Sequence, residues 1–191
     1  MRLLSRNDQS GRSMVEMLGV LAIIGVLSVG GISGYSKAMA KYKLTKAQDQ
    51  ITMLLMNIRT AYATSPSYAG LCESAAAFFN LAPQEMVGAD KASLYGTFGG
   101  SVYVGATASS MSAHASGNTS SASTGNYFYI TLKDLGKEAC RSLATSDWGA
   151  DGLVKMIVGS STYNTAALPV SLQYAAANCN NETTSITWIY Y

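Results

Sequence analysis

Two places near the start of this chain could take part in chemistry, and both owe it to their position. Ser10-Gly11 is a small-residue junction placed ahead of a long apolar run, whereas in an ordinary secretory signal the cut follows the apolar region. Hydrolysis after Gly11 would discard a short basic leader, keep the apolar segment and turn the nitrogen of Arg12 into an α-ammonium group. Glu16 stands at the mouth of Met17–Gly34, a run of 18 residues without charge. A carboxylate there is costly to bury unless a cation meets it. On its own helix the new amine lies about one turn away. A staggered second copy could bring its amine directly against Glu16, and that contact would fix the axial register between copies. The other reading of Glu16 is plainer: a carboxylate at the headgroup level of a simple membrane anchor.

Other chemistry is hard to place. The sequence has no H-E-x-x-H, no P-loop, no G-x-S-x-G and no C-x-x-C. Its single histidine, His114, sits in a run from Gly105 to Asn126 made almost entirely of Ala, Ser, Thr, Gly and Asn, where a solvated side chain is expected rather than a ligand. No enzyme activity, cofactor or metal site is expected. A net charge of +2 is too small to argue for nucleic acid, and the 12 tyrosines suit sheet faces and subunit contacts better than base stacking. Charged residues make up only 13% of the chain, about half the usual fraction, which suits a surface buried among copies of itself.

The elements that position these residues follow from the pattern. Met17–Gly34 would give about 27 Å of helix, close to the roughly 30 Å hydrocarbon core of a bilayer. Gly19, Gly25, Gly30, Gly31 and Gly34 punctuate it, which allows close helix approach in a membrane and local melting outside one. Beyond Gly34 the helix reads as continuous to about Ala63, with apolar residues at Leu44, Ala47, Ile51, Leu54, Ile58 and Ala61 forming an amphipathic stripe. Such a helix is too long for a small globular domain and should protrude from it. Ser65-Pro66 ends it. Leu71–Asn80 then reads as a short helix, and Pro83 opens a further helical turn. Tyr95–Phe98, Ser101–Gly105, Asn126–Leu132, Leu153–Val158, Leu168–Tyr174 and Ile186–Tyr191 read as strands, and Lys133–Thr145 as a helix with Leu135, Ala139 and Leu143 inward.

Arg2, Arg6 and Arg12 predict that the N-terminus stays cytoplasmic, while Lys37, Lys41, Lys43 and Lys46 just past the apolar run weigh the other way. The three cysteines, Cys72, Cys140 and Cys179, fall on the far side of the anchor, where a disulfide can persist. Together with the junction at Gly11 they decide for the N-in, C-out orientation. Three is an odd number, so one thiol is left over.

Gly11 followed by Arg12-Ser13-Met14-Val15-Glu16 and an apolar run resembles the processing signal of type IV pilins. The resemblance implies cleavage by the prepilin peptidase between Gly11 and Arg12, N-methylation of Arg12, and a subunit-assembly role for Glu16. Arg12 is a departure, since family members usually begin with Phe, Met or another apolar residue. The segment Ile130–Leu143 with Cys140, the later Cys179 and a closing strand resembles the heads of type IVb pilins, although the leader is shorter than that group usually has. This second resemblance implies a Cys140–Cys179 disulfide, leaving Cys72 over.

The implied fold is α+β: a long N-terminal hydrophobic and amphipathic α-helix packed on an antiparallel β-sheet head with short helices, the ladle shape of a pilin. The implied divisions are a leader over 1–11, a transmembrane or filament-core helix over 12–34, its amphipathic continuation over 35–64, and a head over 65–191. The implied function is a structural subunit, the major pilin first, that leaves the bacterial inner membrane for an extracellular filament. Its partners would be other copies of itself, the prepilin peptidase and the pilus assembly machinery. The alternatives are a minor pilin or type II secretion pseudopilin, and a membrane-anchored adhesin or binding module that never polymerises. Glu16 argues against the last, because an isolated anchor gains nothing from it.

Overall fold

The computed structural model describes residues 12–107, 125–149, 152–164 and 167–191. The leader with Gly11, and His114 with most of its small-residue run, lie outside the described residues. The chain divides into two compact units between Tyr42 and Lys43.

Helix α1 (Arg12–Ala61) supplies all of the described part of the first unit. No proline interrupts it, and it remains one element through Gly30-Gly31. Every described side chain from Met14 to Ala38 is exposed, the large apolar ones by between 52% (Ile24) and 76% (Val26). This apolar surface therefore contributes nothing to the chain's own core.

In the second unit the rest of α1 packs on the head. Ala47, Ile51, Leu54 and Ile58 are buried at steps of three and four, and Leu55 joins them, so the expected stripe is the packing face. Ala61, at the helix end, is exposed. Helix α2 (Glu73–Phe78) follows, then a 3-10 turn (Gln84–Met86) opened by Pro83.

The sheet has six strands, all antiparallel: β1 (Leu94–Tyr95), β2 (Ser101–Thr107), β3 (Tyr127–Leu135), β4 (Leu153–Val158), β5 (Ser161–Asn164) and β6 (Thr184–Tyr190). Their spatial order is β1-β2-β3-β6-β4-β5, which puts the C-terminal strand inside the sheet. Alternation sends Phe128, Ile130 and Leu132 of β3 and Ile186, Trp188 and Tyr190 of β6 into the same core that α1 covers. Thr131 and Thr187 alternate away from that core and pair their hydroxyls at 2.8 Å.

Four expectations change. Lys133–Leu135 continue β3 instead of opening a helix: Asp134 takes a positive φ of 57°, the register shifts, and Leu135 still pairs with Thr184. Helix α3 therefore begins at Lys137 and ends at Ala144. Leu168–Tyr174 is not a strand; an extended Ser171 precedes the alanine-rich helix α4 (Leu172–Asn178). Strand β5 has no apolar alternation and pairs at the sheet edge.

The fourth change is at Tyr95–Phe98, where only Tyr95 lies in a strand and a turn closed by the Gly99 N–H on the Gly96 carbonyl follows it. Gly105, the end of the expected strand Ser101–Gly105, lies within β2. It pairs with Tyr129, and a side chain there would meet the phenol oxygen at 2.6 Å. Gly105→Val should force this buried ring aside and lower stability by about 1–3 kcal/mol, readable as a reduced urea midpoint at unchanged m-value.

Candidate assembly site and stapled head

Arg12 is the first residue of α1, and Glu16 follows one turn later with its side chain exposed. Among the described residues Glu16 has no ion-pair partner. At Gly19, Gly25, Gly30, Gly31 and Gly34 an added Cβ would meet nothing within 4 Å, so no contact among the described residues requires these glycines. A bare apolar helix bearing one unmatched carboxylate has the chemistry of a surface awaiting lipid or a second helix.

Cys140 and Cys179 form a disulfide, both fully buried, with Cα atoms 5.6 Å apart. The bond joins the middle of α3 to the residue that ends α4, a few positions before β6. The tie therefore runs helix to helix, at the point where the chain turns into the centre of the sheet. Cys72 is the leftover thiol, half-buried, with its sulfur 3.2 Å from the Ser74 hydroxyl.

A polar cluster fastening α1 to the head escapes sequence reading. Gln50 falls off the apolar stripe yet is only 5% exposed. Its amide nitrogen donates to Glu85 (2.8 Å), and its carbonyl accepts from the Thr97 hydroxyl (2.6 Å). Lys46 forms an ion pair with the same carboxylate. Hydrogen bonding from Lys46, then from Gln50, holds the Glu85 carboxyl below its ordinary range. Asn57 adds a bond to the Leu81 carbonyl at 2.8 Å. The only local signal is a set of polar residues one helical turn apart near the apolar stripe, which a solvent-facing surface would also give.

Deeper in, the Arg59 guanidinium lies 5.4 Å from the centre of the Tyr190 ring. Burial pushes the Tyr190 phenol well above its ordinary range, and Arg59 offsets a little of that rise. The end of the helix is thus seated on the last strand.

The long helix with its bare apolar part, and the antiparallel sheet stapled beside its central strand, make up the fold of a type IV pilin. Two solved structures share it: a type IV b pilin from Salmonella typhi (TM-score 0.54, 18% identity, covering 78% of this chain and 97% of that one) and TcpA, a type IV pilin from Vibrio cholerae El Tor biotype (TM-score 0.50, 14% identity, covering 78% and 99%). The chain belongs to the family described as PilS N terminal, which matches residues 41–190. It is also 26% identical over 148 residues to the major structural subunit of bundle-forming pilus of Escherichia coli O127:H6, covering 78% of this chain and 70% of the relative. The same figures hold for the protein of that name from Escherichia coli O111:H-.

Proposed function

We propose that this chain is the structural subunit of a type IV pilus, made as a membrane-anchored precursor and polymerised through the apolar part of α1. The observation that carries the reading is the separation of two apolar surfaces. One face of α1 beyond Lys43 closes the head core, while Met14–Gly34 is exposed and takes no part in that core. Such a surface is stable in a bilayer, or among equivalent helices once the subunit has left the bilayer. Family and fold are structural rather than enzymatic, and the chain acts by assembling, not by catalysis. The curated relatives are named as major subunits, which favours a major over a minor role.

On this reading residues 1–11 are a leader that the prepilin peptidase removes between Gly11 and Arg12, and the new amine of Arg12 is methylated. The N-terminus faces the cytoplasm and the head faces outward. The assembly machinery then draws mature subunits into an extracellular filament whose core is α1, with Glu16 of one copy against the amine of the next.

Gly11→Asp tests the first step, because an acidic side chain at the junction should block the cut. The expected result is a membrane protein that retains residues 1–11 by intact mass, with no surface filaments. Filaments from this variant, or a wild-type mature chain that does not begin at Arg12, would overturn the processing scheme.

A further inference from the structure

We propose that Tyr35, Lys37, Lys41 and Tyr42 form a collar that binds anionic phospholipid headgroups on the leaflet facing the head. The inference rests on the anchored-precursor reading and adds a lipid partner to it. All four residues belong to the first unit and are exposed, Tyr35 by 67% and Tyr42 by 59%. No acidic residue occurs between Met17 and Tyr42, and among the described residues neither lysine has an ion-pair partner. Two cations without a carboxylate, flanked by two amphipathic rings, meet solvent directly where the apolar run ends.

Spacing and distribution select the occupant. Lys37 lies 21 residues past Glu16, or about 31 Å along the helix, which matches the thickness of a hydrocarbon core. With Glu16 at one edge, Lys37 reaches the other edge and Lys41 stands one turn further out, at headgroup depth. The two tyrosines lie roughly 100–160° around the helix from the lysines. The lysines make one stripe and the tyrosines another on the far side of the helix, so both sides suit the headgroup layer that encloses a membrane helix. Tyrosine ring bodies suit the interface, and lysines there attract anionic lipid by about fivefold each. The same lysines oppose the usual charge bias for this orientation, and a lipid contact gives them a role that offsets it.

The test uses the full mature chain reconstituted in vesicles of phosphatidylcholine alone or mixed with phosphatidylglycerol. A membrane-impermeant amine reagent is applied, peptides are quantified by mass spectrometry, and exposed Lys91 on the head is the internal reference. Labelling of Lys37 and Lys41 should fall about threefold or more in the anionic vesicles and recover in about 0.5 M salt. Equal labelling in both compositions, with the protein floating with both, overturns the collar and leaves the anchor intact. Failure to float with either overturns the anchor and the collar together. Protection that is absent in anionic vesicles and present in assembled filaments assigns these residues to a subunit contact and also overturns the proposal.

Discussion

Glu16→Val is expected to leave export, leader removal and head folding intact while reducing surface filaments by about a hundredfold or more. The head should not notice the change, because Glu16 is exposed and lies in the first unit, outside the head core. Insertion should not suffer either, since an uncharged helix is at least as comfortable in lipid. What disappears is the partner for the incoming amine. An ammonium group left unpaired in an apolar helix bundle costs several kcal/mol, and each 1.4 kcal/mol is a factor of ten in association. Glu16→Gln, which keeps the shape and removes the charge, should behave like Glu16→Val. The check is a comparison of sheared filaments with mature subunit retained in the membrane. Normal filament yield from both variants would reduce Glu16 to a headgroup-level residue and revive a non-polymerising anchor.

Removing the disulfide should have the largest effect on the head itself. Cys140 and Cys179 are 39 positions apart, and closing a loop of that size stabilises by about 3–4 kcal/mol in the chain-entropy model. The paired Cys140→Ser, Cys179→Ser variant should therefore unfold about 6–16 °C lower than wild type, both measured as mature protein in detergent. Reduction of the wild type should reproduce the shift. Two serine hydroxyls in a fully buried site add to the loss. A non-reduced digest should yield the linked peptides, and the Cys72 peptide should be alkylated without reduction. An unchanged melting temperature in the double variant would mean that helix packing alone holds α3 and α4 together.

What could be read in advance depended on whether the signal was local. The stripe Ala47, Ile51, Leu54, Ile58 repeats with the helical period, so both the helix and its buried face were legible. Strand β4 was legible because Leu153–Val158 is short, apolar and bounded by glycines. The inside position of β6 was not, because a strand's neighbours are chosen by distant segments and leave no trace in its own residues. Lys133–Leu135 misled because the composition continues smoothly into α3, while a single positive φ at Asp134 keeps the chain in the sheet. Strand β5 carries only Ser, Thr, Tyr and Asn, so it shows no alternation to detect.

The candidate site divides along the same line. Gly11, Arg12 and Glu16 stand out because the processing signal proposed for them would be read locally by a peptidase, and so would have to be contiguous. The cluster of Lys46, Gln50, Glu85 and Thr97 stays hidden because each partner comes from a different segment of the fold. The partner proposed for Glu16 lies in another copy of the chain, so no contact inside one chain could reveal it.

The central claim is that this chain builds a filament through the N-terminal part of α1. The most direct measurement is the protein content and N-terminal sequence of filaments sheared from cells that express the wild-type chain. Filaments made predominantly of this subunit are expected, each chain beginning at Arg12. Intact membrane-held protein with no such filaments, or filaments in which this chain is absent, would contradict it.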